Sequence, residues 1–211
     1  MKLNQRGLLI VISGPSGVGK GTVRKALFEF DEHDFVYSIS MTTRPPREGE
    51  VDGVDYYFVS KDEFERRIEA GAFLEYAEFV GHYYGTPKDK IDAYLDEGKE
   101  VVLEIEVEGA LQVREKMPDA VFLFIAPPSR EALYNRLLTR GSEDPTTVVN
   151  RMDKAEREFL LAHKYDYIIV NDDVHNAADK IIAVVRAEHA KTERSIQSYR
   201  SMLEVDDSYG K

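Results

Sequence analysis

The chain contains no cysteine, which excludes disulfides, thiolate metal sites and cysteine nucleophiles. It also lacks any long hydrophobic run. Leu8 to Ile12, near the start, is far too short for a signal-peptide core or a membrane span, so the cytoplasm is the expected location and no membrane partner is expected. Positive charge is in deficit: Lys plus Arg number 28 against 39 Asp plus Glu, a net charge of −11. Non-specific nucleic-acid binding draws on the opposite balance, so no nucleic-acid partner is expected. Internal repeats are absent, and only the polar stretch after Leu203 is low in complexity; its acidic end, Glu204–Lys211, is expected to be disordered. What is present is 211 residues, 43% of them hydrophobic, enough for one domain with a sizeable core.

Apolar runs of strand length fall at Leu8–Ser13, Val101–Glu106, Val121–Ala126 and Tyr167–Val170. They are nearly continuous, as parallel strands covered on both faces require. Helical stretches alternate with them: Gly19–Phe30, a helix capped by Ser129 and running to Arg140, one from Thr146 to about His163 after Asp144-Pro145, and Ala177 to about Tyr199. This pattern predicts an α/β fold with a doubly wound parallel sheet. From about Ser38 to Thr86 the rhythm breaks. Pro45, Pro46, Gly49 and Gly53 precede two segments of partial period-two alternation, which predicts a small inserted sheet. Ser60-Lys-Asp-Glu63 is a capping box for a short helix ended by Gly71, and Thr86-Pro87 opens another that Gly98 ends. The charged connector Gly141–Pro145 has the composition of a flap over the core. The expected division is a core at 1–37, 91–130 and 156–205, an insert at 38–90 and a short helical lid at 131–155.

The strongest local signal is Gly14-Pro15-Ser16-Gly17-Val18-Gly19-Lys20-Gly21-Thr22, directly after an apolar strand and opening a helix. Glycines let the backbone wrap an anion, the helix N-terminus adds positive potential, and Lys20 supplies a formal charge. This is a P-loop. Gly21 stands where Ser or Thr usually ligates Mg²⁺, so the ion is expected to be held mainly by ATP oxygens and water.

Ser40-Met-Thr-Thr-Arg44-Pro-Pro-Arg47-Glu-Gly49 carries two arginines in a segment that prolines keep out of helix. Guanidinium forks suit phosphate, and beside a P-loop that reading outranks surface charge. Tyr56, Tyr83 and Tyr84 read equally as packing. Glu75 alone reads as a strand carboxylate and Thr86 as a helix cap. Glu104 and Glu106, two apart in an apolar strand, are costly without partners, which points to a site near the P-loop with metal or substrate present, or to a sheet edge that reaches water. Arg136, Arg140 and Arg151 flank the charged connector; Arg136 and Arg140 are four apart and would repel unless an anion lay between them, or would line a solvated helix face.

Gly14 to Asn171 resembles the guanylate kinase family. The resemblance is carried by Ser40-Met-Thr-Thr-Arg44-Pro-Pro-Arg47-Glu-Gly-Glu, Gly53-Val-Asp-Tyr56, Phe73-Leu-Glu75-Tyr, Gly81-His-Tyr-Tyr84-Gly-Thr86, Arg140-Gly-Ser-Glu143 and Val170-Asn171-Asp172. It implies transfer of a phosphoryl group from ATP to GMP with Mg²⁺; a monomer or homodimer is expected. It further implies that Ser40, Arg44, Arg47, Tyr56 and Tyr84 hold the GMP phosphate, and that Glu75, Thr86 and Glu106 read guanine. Lys20, Arg136, Arg140 and Arg151 would then face the transferring group, and Asn171 the adenine. The family usually has Asp-x-Asp where this chain has Glu104-Ile-Glu106, and Glu104 is the candidate metal contact, through water. Arg44 and Arg47 would equally suit the diphosphate of a guanine alarmone acting as inhibitor. Two rivals stand beside this reading: a kinase for another nucleoside monophosphate, and a non-catalytic guanylate-kinase-like module that binds phosphopeptides.

Overall fold

The structure is a computed structural model that describes residues 6–30, 34–139 and 145–202. Its centre is a five-stranded parallel sheet in the order β2-β7-β1-β8-β9, formed by β1 (Leu9–Ser13), β2 (Phe35–Tyr37), β7 (Glu100–Glu104), β8 (Val121–Ala126) and β9 (Tyr167–Val170). β1 pairs with β7 in the register Leu9↔Val101 and with β8 in the register Ile10↔Val121.

Alternate residues of β1, and Leu8 just before it, enter opposite hydrophobic layers. Leu8, Ile10 and Ile12 pack with Val23 and Leu27 of α1 (Lys20–Leu27), Leu133 and Leu137 of α5 (Arg130–Thr139), Val148 and Met152 of α6 (Pro145–Phe159), and Ile181 and Val185 of α7 (Val174–Ala190). Leu9 and Val11 pack with Ile91 and Leu95 of α3 (Lys88–Asp96) and with Ala110 and Val113 of α4 (Val107–Lys116). Helices cover both faces, so β1 has no polar side and reads as an unbroken apolar run. The sheet is the doubly wound parallel sheet that the sequence predicts.

Between β2 and β7 the chain builds a second sheet, in the order β4-β3-β6-β5, from β3 (Met41–Thr42), β4 (Tyr57–Phe58), β5 (Phe73–Phe79) and β6 (His82–Pro87). β3 runs parallel to β4, and β6 runs antiparallel to both β3 and β5, so the small sheet is mixed. The helix α2 (Lys61–Glu69) starts where Ser60 Oγ accepts from Glu63 N–H at 3.2 Å. It buries Phe64 in a stack on Phe73, centroids 4.3 Å apart, and on Tyr83 at 5.3 Å. That stack supplies the local core, worth about 3–5 kcal/mol if Phe64 were cut to Ala.

Several boundaries differ from the expectation. The strand ends at Glu104 instead of Glu106, because Glu106 turns into the N-cap of α4, a helix the apolar pattern does not announce. Thr86 lies inside β6, and Pro87 occupies the cap of α3. The last helical stretch is two helices, since Lys191 at ψ 134 breaks α7 from α8 (Thr192–Met202), and α7 begins at an Asp173 cap whose side chain accepts from Asn176 N–H. Arg140, the connector 141–144 and the tail after 202 lie outside the described residues.

Candidate active site

The P-loop leaves the carboxyl end of β1, where connections to β2 and β8 diverge and an α/β sheet opens a crevice. Its turn is set by three glycines at positive φ: Gly14 at 142°, Gly17 at 86° and Gly19 at 90°. A Cβ on Gly14 would lie 2.4 Å from the Ile125 carbonyl oxygen, and one on Gly17 2.7 Å from Leu137 Cδ2. No side chain fits, so the loop can be built only with glycine. Lys20 Nζ donates to the Gly14 and Pro15 carbonyls at 2.7 and 3.2 Å, and burial lowers its pKa against the opposing pull of Glu104, Glu158 and Glu106. Thr22 Oγ1 donates to the Gly19 carbonyl at 3.0 Å.

Glu104, at the end of β7, reaches this loop. Arg24 Nε donates to its Oε2 at 2.9 Å, while Oε1 lies 3.6 Å from where a Cβ on Gly21 would sit. The missing side chain at position 21 therefore faces a carboxylate. Among the described residues no three His, Asp or Glu converge as a metal cage. One carboxylate beside a phosphate loop is nevertheless a donor set that suits Mg²⁺ arriving with a polyphosphate.

In the small sheet, Arg44 is held in a bidentate pair with Glu50, Nη1 to Oε2 at 2.9 Å and Nη2 to Oε1 at 2.8 Å, and Arg47 N–H donates to Glu50 Oε2 at 2.7 Å. The pairing holds the Glu50 carboxyl below the usual carboxylate range and Arg44 above its ordinary value. The Arg44 guanidinium lies 5.4 Å from the ring of Tyr56, which meets Tyr84 edge-on at 6.0 Å. Ser40 sits half-buried on the same segment, its carbonyl accepting from Tyr57 N–H at 2.9 Å, and the Arg47 side chain is exposed. Arg44, Tyr56 and Tyr84 thus form one cluster. Glu50, its organiser, was not singled out from the sequence.

Glu75 and Thr86 meet across β5 and β6. Thr86 Oγ1 donates to Glu75 Oε1 at 2.6 Å in a buried pair, and burial raises the Glu75 pKa. Helix α4 closes over them: a Cβ on Gly109 would stand 3.2 Å from Glu75 Oε2, and the Gln112 amide bonds both N–H and C=O of Tyr76, at 3.2 and 3.3 Å. Gln112 thereby satisfies the free edge of β5 as a neighbouring strand would. No sequence signal identifies it.

Glu106 does not join this pair. Its side chain is 73% exposed and accepts from Lys154 of α6 at 2.8 Å, a contact that also raises the Lys154 pKa. Arg136, on the last turn of α5, donates to the Val18 carbonyl at 3.2 Å and to the Asn171 carbonyl at 2.9 Å. Asn171 Nδ2 donates to the same Val18 carbonyl at 2.7 Å, while its Oδ1 is buried without a partner. Arg151 is half-buried on α6.

A P-loop at the carboxyl end of a parallel sheet, next to an arginine and tyrosine cluster on a small mixed sheet, defines a nucleotide-binding protein of the P-loop α/β class. The guanylate kinase family model matches residues 6–188. The chain is 62% identical over 210 residues to the guanylate kinase of Onion yellows phytoplasma (strain OY-M), covering 99% of both chains. It is 55% identical over 204 residues to the guanylate kinase of Bacillus subtilis (strain 168), covering 97% of this chain and 100% of that relative. The crystal structure of guanylate kinase from Anaplasma phagocytophilum superposes with a TM-score of 0.72 at 36% identity, covering 98% of this chain and all of that one. The chain belongs to the guanylate kinase family.

Proposed function

We propose that the chain transfers the terminal phosphoryl group of ATP to GMP, giving ADP and GDP. The observation that carries this reading is the buried Glu75–Thr86 pair on the small sheet inserted between β2 and β7. Guanine presents an O6 acceptor and N–H donors on its reading edge, and a carboxylate with a hydroxyl complements both. Adenine donates only from its N6 amine and presents an acceptor at N1, so a carboxylate that accepts from both N1–H and N2–H of guanine would find one donor fewer and a facing lone pair in AMP.

Phosphoryl transfer asks for positioning and charge neutralisation more than for covalent chemistry. The GMP phosphate is itself the nucleophile, so no protein nucleophile and no dedicated base are needed. Arg44, with Arg47, Ser40, Tyr56 and Tyr84, holds that phosphate, and Glu50 keeps Arg44 in place. Gly14 to Thr22 wraps the ATP phosphates, with Lys20 exchanging its two carbonyl partners for phosphate oxygens. The unpartnered Oδ1 of Asn171 is an acceptor for the exocyclic amine of adenine. With an insert at 38–90, a lid at 131–155 and a core at 1–37, 91–130 and 156–205, Arg140 and Arg151 would serve the transferring group, whereas Arg136, which grips the Val18 and Asn171 carbonyls, would reach it only on leaving them. Bound Mg²⁺ would neutralise charge on the ATP phosphates, with Glu104 the carboxylate nearest to hold it through water. Glu106 reaches guanine only on leaving Lys154. The Arg44 and Arg47 side also suits the diphosphate of a guanine alarmone, for which competition with GMP is the signature. No described helix is long and apolar enough to cross a membrane.

ADP release from ATP·Mg²⁺ in the presence of GMP, dGMP, AMP, CMP or UMP tests the assignment. Turnover with GMP at least about a hundredfold above that with AMP is expected from one well-placed buried polar pair; equal turnover with AMP would overturn it.

A further inference from the structure

We infer that Arg136 and Asn171 are positioning residues for the phosphate loop, a strap that fixes the direction of the Gly19 N–H through the Val18 carbonyl. The inference rests on the P-loop being the ATP site. It follows from the geometry of one peptide. Val18 oxygen accepts from Asn171 Nδ2 at 2.7 Å and from Arg136 Nη1 at 3.2 Å, and the second arm of the guanidinium, Nη2, closes the triangle on the Asn171 carbonyl at 2.9 Å. A trans peptide is planar, and its N–H points opposite to its C=O. Holding the Val18 carbonyl outward, toward β9 and α5, therefore aims the Gly19 N–H into the loop, where an anion would lie.

The strap is itself anchored. Asn171 N–H donates to the Ala126 carbonyl at 2.8 Å, which ties the residue to the end of β8, and Arg136 shares α5 with Leu133 and Leu137, whose side chains press on Gly17. Gly19 must lack a side chain for the same reason: a Cβ there would stand 2.7 Å from Asn171 Nδ2. The tip of the loop is thus gripped on both sides, by α5 at Gly17 and by Asn171 at Gly19. A preorganised donor is effective because it need not be reoriented when charge arrives.

Two other roles for these residues make different predictions. If Asn171 only touches adenine, its loss should not affect a ligand that has no base. If Arg136 only supplies charge to phosphate, lysine should replace it. The strap needs the amide donor of asparagine and the fork of arginine. Asn171→Asp keeps shape and an acceptor for adenine but removes the donor, and Arg136→Lys keeps charge but loses the planar fork whose two separate nitrogens, Nη1 and Nη2, reach the Val18 and Asn171 carbonyls.

Affinities of ATP, inorganic tripolyphosphate and GMP are measured by calorimetry for the wild type, N171D, R136K and the double variant, with melting curves as a control. ATP and tripolyphosphate affinity should fall by the same factor, about tenfold for either single variant, with GMP affinity within about twofold. The double variant should lose little more than the worse single one, because both act on one carbonyl. Loss for ATP alone, wild-type tripolyphosphate affinity in R136K, or additive losses would each overturn the strap. A test free of variants is hydrogen exchange of the Asn171 side-chain amide in the nucleotide-free wild type. Protection supports the strap, and free exchange overturns it. Failure of the wild type to phosphorylate GMP would refute the proposed reaction while leaving these comparisons readable.

Discussion

Thr86 Oγ1 and Glu75 Oε1 lie 2.6 Å apart in a pair that the small sheet and α4 bury together. The hydroxyl donates to the carboxylate, and burial makes the ionised carboxylate expensive, raising its pKa.

A stability prediction follows for Glu75→Gln. Because the folded chain holds the protonated form more readily than the unfolded chain, the contribution of Glu75 is fully present below the ordinary carboxylate pKa and is lost as pH rises through the raised folded value. The neutral variant escapes that loss. Nucleotide-free E75Q should melt above the wild type at neutral pH, and the difference should disappear near about pH 4. The same variant presents an amide donor to the donors of guanine, so kcat/KM for GMP should fall about ten- to hundredfold. Melting curves at two pH values and GMP kinetics check both parts.

Lys20→Met removes the formal charge from the loop. The fold should persist, since among the described residues Lys20 bonds two loop carbonyls, and kcat should drop by about 10²–10³, as on loss of a strong preorganised donor. Retention of more than about a tenth of the wild-type rate would contradict the assignment.

Glu50→Gln tests the organiser of the arginine cluster. The amide accepts from only one side, so the bidentate hold on Arg44 and the bond from Arg47 N–H cannot both persist. KM for GMP should rise about tenfold with a smaller change in kcat, while KM for ATP stays put. Equal changes in both KM values would point to a general loss of structure.

The hairpin between β5 and β6 turns through Val80 and Gly81, at φ 50° and 76°. Two positive φ values in a two-residue loop describe a type I′ turn, in which a β-branched residue at the first position is strained and Asn-Gly is preferred. Val80 is 79% exposed, so no packing holds it there. Val80→Asn should stabilise the protein by about 0.5–1 kcal/mol, about 1–4 °C in Tm, with GMP kinetics unchanged.

The phosphate loop was legible in the sequence because its glycines answer backbone demands that no other residue meets, and β1, β7 and β8 because both their faces are buried; the edge strand β9 shows only as a short apolar run, with Ile168 exposed. Other parts left no such mark. β2 is three residues long and only partly buried, too short for a pattern, and α4 is hidden by Gly109 and by charges on its solvent side. Glu50 and Gln112 act through partners that only the fold brings near, at Arg44 and on the edge of β5. Arg136 was legible as a cation of the lid, yet its observed partners are carbonyls, and no one-dimensional signal separates a phosphate ligand from a clamp on the backbone.

The most direct test of the reading is the identity of the products. The purified chain is incubated with ATP·Mg²⁺ and an equal mixture of GMP and AMP, and the nucleotides are separated by chromatography. The account predicts GDP accumulating in step with the ADP formed from ATP while AMP stays constant. Consumption of AMP at a comparable rate, or ADP formed without GDP, would contradict it.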